Sequence, residues 1–333
     1  MNQRNSQSAT RRLRLPLIAM LACIALNAAG AQTWGPERAI EIVAGSAAGG
    51  AQDRTARAMQ QIWKDHNTLK AITSVVNKPG GGGAVSHAYL SQRAGDAHYI
   101  VVSSPSLLIG HIMGTGSTNY TDLTPLAVLF SEYIVIAVNA DSPIKTAADL
   151  AQRLKADPAS VSAAVATARG GMQHVAVGLM AKAAGADVRK MRVVIFNSGG
   201  ESVTAVMGGH VDIVATAAAN AAPQVMNGKL RIIGVAAPRR LEGALASAPT
   251  LREQGYDVVV SNWRSVLGPK GLSAPQIAYW DAALGSLVRA PEWNDDLKKN
   301  DWVSNYMDSA ASRAFFASQY ETLRGVLADL LAK

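Results

Sequence analysis

The stretch Ile40-Glu41-Ile42-Val43-Ala44-Gly45-Ser46-Ala47-Ala48-Gly49-Gly50-Ala51-Gln52-Asp53-Arg54 decides how this chain is read. An apolar run of strand composition passes through small residues into a helical pattern over 55–63, and such a junction leaves backbone N–H groups unpaired at the helix start. Those groups, with the positive end of the helix dipole, attract an anion. The junction therefore points to a carboxylate or a phosphate.

Four more junctions of small polar residues and glycine follow: Ser103-Ser104-Pro105-Ser106, Thr167-Ala168-Arg169-Gly170-Gly171, Asn197-Ser198-Gly199-Gly200 and Thr216-Ala217-Ala218-Ala219-Asn220. Glycine lets backbone approach a ligand closely, and serine or threonine adds a neutral hydrogen bond without the desolvation cost of a buried charge. Taken singly, each glycine is explained by the geometry of a tight turn. Several such junctions converging on one cleft would grip a small anion through backbone dipoles, with Ser104 and Ala217 among the contacts. Asp53 either meets a ligand amine or hydroxyl or favours its own helix N-terminus, and Arg169 either pairs with a carboxylate or is an exposed loop arginine.

Strand-like runs at 40–44, 72–76, 99–103, 133–138, 161–165, 193–196, 211–215, 230–235 and 258–260 alternate with helical patterns at 55–63, 147–155, 174–184, 201–207 and 221–226. That order predicts βαβ units and mostly parallel sheets flanked by helices. Phe316, Tyr320, Leu323, Leu327 and Leu330 form an apolar stripe on a C-terminal helix, for which Ser309 is the expected N-cap. One sheet of so many strands would be large, so two α/β lobes are expected, with strands crossing between them at 133–139 and returning between 230 and 255. The expected division is a signal segment over 1–31, a discontinuous first lobe over 32–135 and 251–333, and a second lobe over 136–250. The cleft would lie at the C-terminal ends of the strands, where open α/β sheets bind ligands.

Residues 1–31 carry Arg4, Arg11, Arg12 and Arg14 and no acid, then an apolar core over 15–26, then Ala29-Gly30-Ala31. This is the pattern of a cleaved secretory signal, with an apolar core too short to be an ordinary membrane span. Adjacent arginines leave both the general and the twin-arginine export routes open. Met20-Leu21-Ala22 before Cys23 is a poor lipid-attachment box, and cleavage after Ala31 would leave a mature chain without cysteine, held by its core and not by disulfides. Removing the four signal arginines leaves 28 basic against 24 acidic residues, a net charge of +4. The basic residues are scattered and lack interleaved aromatics, which argues against nucleic-acid binding, and no later segment is long and apolar enough to span a bilayer.

The linear traces of catalysis are missing: no Gly-x-Ser-x-Gly, no His-Glu-x-x-His, no phosphate-loop lysine motif and no Gly-x-Gly-x-x-Gly, which the run of glycines at 80–83 fails on spacing. His66, His87, His98, His111, His174 and His210 sit too far apart for metal-ligand spacing. No metal, no cofactor and no enzymatic activity are expected.

Ala47-Ala48-Gly49-Gly50-x-x-Asp53-x-x-Ala56-Arg57 resembles the first-loop signature of the tripartite tricarboxylate transporter substrate-binding proteins, also called Bug receptors. Asn77-Lys78-Pro79-Gly80-Gly81-Gly82, Asp122-Leu123-Thr124-Pro125 and Ile144-Lys145-Thr146-Ala147-Ala148-Asp149-Leu150 follow in family order. So do Phe196-Asn197-Ser198-Gly199-Gly200-Glu201, Gly208-Gly209-His210-Val211-Asp212, Ala248-Pro249-Thr250-Leu251 and Trp263-Arg264-x-x-Leu267-Gly268-Pro269-Lys270-Gly271. The resemblance spans nearly the whole mature chain. It implies a periplasmic, two-lobed type II binding protein of Venus-flytrap form, a monomer that captures a small carboxylate for a two-component membrane permease.

Carried over, the family's contacts would be Ala48, Gly49, Gln52 and Asp53 from one lobe, with Thr167, Arg169, Gln173, Ser198 and Gly199 from the other. Gly45-Ser46 stands where relatives often have Pro-Phe, Ala51-Gln52 where Gly-Thr is frequent, and Arg169 at a usually apolar or small position. These departures fall at the pocket, and Arg169 would favour a di- or tricarboxylate. A ligand-reading partner of a sensor kinase and, more remotely, a periplasmic enzyme are the alternatives. The export reading makes a direct prediction: N-terminal sequencing of the protein recovered from the cell envelope begins at Gln32, and a chain beginning at Cys23 would instead establish a lipoprotein.

Overall fold

β1 (Ile40–Ala44) is buried at Ile40, Ile42, Val43 and Ala44 because it runs between two parallel neighbours and is covered on both faces. The neighbours are β2 (Thr73–Asn77) and β3 (Tyr99–Ser103). The computed structural model describes residues 33–166 and 168–331; the expected signal segment with Cys23 and Ala31, and also Thr167, lie outside the described residues.

Three further strands complete the first sheet: β4 (Leu123–Ser131), β10 (Arg264–Pro269) and β11 (Val303–Met307), in the order β11-β4-β10-β3-β1-β2. The second sheet has the order β7-β6-β8-β5-β9, from β5 (Ile134–Asn139), β6 (Ser162–Ala166), β7 (Arg192–Phe196), β8 (Ile213–Ala217) and β9 (Leu230–Val235). Each is flanked by helices, giving the two-lobed mixed α/β architecture that the alternation implied.

The strands at the centre of the first sheet are the ones the sequence hides. β4 carries Pro125, which argues against an interior strand. The register slips from Val266↔Ala127 to Leu267↔Pro125, so the proline sits at a bulge, and β11 pairs only from Val128 onward. β10 is buried at all six positions and shows no alternation to read. The strand expected at 258–260 does not form: Val258 and Val260 are buried, but Val260 donates to Ala236 O and accepts from Ile134 N–H, bonding two segments irregularly.

Helix boundaries carry the more useful correction. The first helix, α1, is Ala51–Asp65, four residues longer at its start than the apolar period indicated, so Gln52 and Asp53 lie in its first turn rather than in a loop. Small and polar residues there leave no hydrophobic periodicity to detect. Later helices are α2 (Ala84–Ser91), α3 (Ser106–Ile112), α4 (Ala147–Ala156), α5 (Met172–Ala183), α6 (Gly199–Met207), α7 (Ala218–Met226), α8 (Ala274–Arg289), α9 (Pro291–Lys299) and α10 (Ser309–Leu331).

α10 ties the lobes together. Phe316 packs on Trp263 with ring centroids 4.9 Å apart and Leu327 is buried in the shared core, while further along Leu330 lies against Gly178 and Lys182 Nζ pairs with Asp329 at 2.6 Å. Burying each such apolar side chain is worth about 2 kcal/mol. Ser309 is not its cap. It is the first helical residue, its hydroxyl donates to Asp281 at 2.8 Å, and the Asp308 carboxylate accepts the Ala311 N–H at 2.8 Å. Asp308→Ala is therefore expected to lower the unfolding free energy by about 1 kcal/mol in urea denaturation; a variant as stable as the parent would remove Asp308 from the capping role.

Candidate functional site

In the first lobe the Asp53 carboxylate braces the β1–α1 junction. One oxygen accepts from Gly49 N–H at 2.8 Å and from Arg57 Nε at 3.0 Å; the other accepts from Asn77 Nδ2 at 2.8 Å. Burial alone would raise its pKa, but hydrogen bonds from Arg57, Gly49 and Asn77 hold it below the usual carboxylate range. Gly49 has φ +77°, a conformation that favours glycine, which turns its N–H back onto Asp53. Of the two roles open to Asp53, its contacts fit the one internal to the junction. The N–H groups of Ala51 and Gln52 have no acceptor among the described residues, while Ala48 is exposed beside them.

The neighbouring junction belongs to the same surface. A methyl group on Gly45 would lie 2.6 Å from Ser86 Oγ and 2.9 Å from Gln52 Oε1, with Gly83 behind them. Ser104 Oγ lies 2.9 Å from Ser106 Oγ, and Ser103 Oγ 2.9 Å from His87 Nε2. Burial pushes the His87 imidazole down to about 4, so it is neutral. Gly83 and Ser86 reach this junction through the fold: the family-like motif beginning at Asn77 ends at Gly82, and neither residue is among the contacts the sequence suggests.

In the second lobe the turn before α5 is closed by Gly170 N–H donating to His174 Nδ1 at 2.9 Å. Burial, and then the positive charge of Arg169, push His174 down to about 4. Arg169 is exposed and Gln173 half-buried at the helix start. Ser198 caps α6, its hydroxyl accepting from Glu201 N–H at 3.2 Å. Gly199 abuts the Asn220 side-chain amide, which donates to Thr216 Oγ1 at 3.1 Å, so the Ser198 and Ala217 junctions form one group. Ala217 ends β8 and caps α7, and the N–H of Ala218, the first helical residue, donates to Tyr133 O at 3.1 Å.

Strand direction sets both groups toward one another. β4 runs parallel to β1 and β3 and leaves the first sheet at Ser131; after Glu132 and Tyr133 the chain enters the second sheet as β5. β5 starts opposite Ala217 and Val235, at the ends of β8 and β9. The C-terminal edges of the parallel strands of both sheets thus meet at the crossing, and all five junctions open there. A methyl group on Gly170 would lie 2.9 Å from Met113 Sδ across the lobes.

The returning strand lies beside the outgoing one. Asn262 N–H donates to Glu132 O at 2.8 Å and Asn262 Nδ2 to Glu132 Oε2 at 3.0 Å. Arg264 is buried at 5% exposure, its Nη1 donating to Asn262 O at 3.0 Å and Trp263 O at 3.2 Å. A separate cavity of about 440 Å³ is lined by Leu241 and Leu245, which follow β9, and by Leu297 and Trp302, which precede β11. Among the described residues no group of three His, Cys, Asp or Glu side chains is placed to hold a metal, and no helix is long and apolar enough to cross a membrane.

The family model described as the tripartite tricarboxylate transporter family receptor matches residues 57–330. A Cupriavidus necator protein described as a UPF0065 protein in the gbd 5′ region is 28% identical over 96% of this chain and 97% of its own. A TctC solute-binding protein from Polaromonas, solved without ligand, is 24% identical with a TM-score of 0.78, covering 88% of this chain and 98% of that one. MatC from Rhodopseudomonas palustris, solved with bound malate, is 20% identical with a TM-score of 0.68, covering 88% and 99%.

The two buried histidines give the protein a pH signature. Burial holds both folded imidazoles at about 4, below the ordinary value of about 6.5, so the unfolded chain binds more protons in between. Stability is full above pH 6.5 and falls as pH drops toward 4, by on the order of 3 kcal/mol per histidine. Urea unfolding compared near neutrality and near pH 4.5 is expected to show this loss, and His174→Gln is expected to reduce it markedly. A loss of the same size in the variant would exclude His174 as a source.

Proposed function

This chain belongs to the tripartite tricarboxylate transporter receptor family, and from that premise we propose that it captures a small organic di- or tricarboxylate between its lobes and presents it, in the periplasm, to a two-component membrane permease. Family membership makes it a solute-binding receptor and not an enzyme. The observation that carries the carboxylate reading is the common edge at which the five small-residue junctions open.

At that edge the Ala51 and Gln52 N–H groups stand at the positive end of α1, and charge-assisted hydrogen bonds of this kind contribute about 1.5–3 kcal/mol each. Ser104 adds a neutral donor beside them. From the second lobe, Gln173, Ser198, Gly199 and Ala217 lie at helix starts, and the exposed Arg169 supplies a fork for a second carboxylate. Thr167 belongs to the same proposed set by its place in the sequence. Gly49 and Asp53 hold the junction in shape, and Ala48 flanks it. A ligand gripped from both lobes favours the closed arrangement by as much as its contacts differ between open and closed states. The malate bound to the R. palustris relative is a dicarboxylate, consistent in size and charge with this reading.

A panel of mono-, di- and tricarboxylates tested by thermal shift is expected to raise the melting temperature, since ligand at a hundredfold over Kd stabilises the native state by about 2.7 kcal/mol. No shift with any acid would defeat the proposal. Arg169→Gln is expected to weaken dicarboxylates roughly tenfold and leave monocarboxylates unchanged. Ser198→Phe is expected to abolish the shift, and an unchanged affinity would take that junction out of the site.

A further inference from the structure

Arg264 is a buried cation whose donors are not satisfied. It begins β10, and the register Ser265↔Ser103 and Val266↔Val102 sets it next to Ser104 at the β3–α3 junction. A guanidinium has five N–H donors. Nη1 reaches two carbonyls, Nε is buried with no hydrogen-bond partner, and the one carboxylate paired with it among the described residues, Glu132, stands 4.0 Å from Nη2, beyond hydrogen-bonding range. Both adjacent residues repeat the pattern, for Trp263 Nε1 and Ser265 Oγ are also buried without a partner.

The charge around Arg264 is out of balance as well. Burial lowers its pKa first, the Glu132 carboxylate raises it, and the positive charge of Arg54 lowers it again. It nonetheless stays protonated, as arginine does in proteins. Arg54 sits on the exposed side of the first turn of α1 and has no ion-pair partner among the described residues. The Glu132 oxygen 4.0 Å from Arg264 already accepts from Asn262, which leaves the guanidinium short of a counter-charge. An ion pair that served only to pin the crossing strands would be drawn to bonding distance, as Arg240 and Glu253 are at 2.9 Å. A buried charge left short of partners favours the arrival of an opposite one.

We propose that Arg264, with Arg54 beside it, is the counter-charge for the ligand carboxylate held by the first lobe, and that Glu132 competes with that carboxylate for the Arg264 guanidinium. The inference rests on the carboxylate-receptor reading and adds to it a named cation at the hinge, distinct from Arg169 in the second lobe. It makes the first lobe an anion site before closure. It also places the charge on the returning strand itself, so that binding and the geometry of the crossing are coupled.

The two roles of Arg264 separate by the sign of one substitution. Calorimetric titration with malate, or with the best acid of the panel, is expected to show Arg264→Gln at least about tenfold weaker and Arg54→Gln about threefold weaker, with reduced dependence on salt. Glu132→Gln is expected to bind more tightly than wild type. If Arg264 only braces the hinge, Glu132→Gln and Arg264→Gln weaken binding together and Arg54→Gln does nothing; that result, or an Arg264→Gln affinity equal to wild type, overturns the proposal. Should Arg264→Gln fail to fold, the exposed Arg54→Gln and the sign at Glu132 decide. A wild-type protein that binds no acid overturns this inference together with the receptor reading, whereas acid binding with the bracing pattern overturns this inference alone.

Discussion

The direction in which the chain crosses between its sheets constrains everything else in this molecule. β4 leaves the first sheet at the edge where β1 and β3 also end, and β5 enters the second at the edge where β8 and β9 end. Two residues, Glu132 and Tyr133, span the step, and the return past Ser261 and Asn262 is bonded alongside it. With so short a crossing the two C-terminal edges have nowhere to go but against each other. A helix start follows β1, β3, β6, β7 and β8 at that edge, so backbone donors accumulate in one place without any single motif to announce them.

The junctions themselves are stiff rather than loose. Asp53 is pinned by Gly49, Asn77 and Arg57, His174 by Gly170, and Glu201 by Ser198 and Asn197. Each bond fixes a backbone turn so that the free N–H groups of the following helix keep their aim. Burial keeps His87 and His174 neutral, whereas Asp53, buried as deeply, keeps its charge because three donors offset its desolvation. α10 adds a second tie between the lobes, resting on Trp263 at one end of its path and on Gly178 and Lys182 at the other.

Much of the fold was legible in the residues. The alternation of β-rich and helical runs established the layered α/β class, and the ordered motifs from Ala47 to Gly271 established the family. The strands of the first sheet nearest the hinge were not legible: Pro125 argues against β4 as an interior strand, and β10 is buried at every position, polar Arg264 and Ser265 included, so it shows no alternation. Val258 and Val260 carry the opposite lesson, since their composition says strand and their partners lie on two different segments.

At the candidate site the sequence identified the junctions but not the division of labour within them. It selected Gly49 and Asp53, and only the coordinates show them bonded to each other, because that bond depends on a left-handed φ at Gly49 that composition cannot reveal. It passed over Gly83 and Ser86, which approach Gly45 and Gln52 only because β1 and β2 are adjacent in the sheet. Arg264 lies within a family-like motif, but the residues alone do not show that its guanidinium is buried 4.0 Å from Glu132 with Nε unpaired. Local chemistry, which is carried by neighbours along the chain, was determined by the sequence. Proximity between residues 130 apart, such as Glu132 and Asn262, was decided by strand order and register, which only the folded chain fixes.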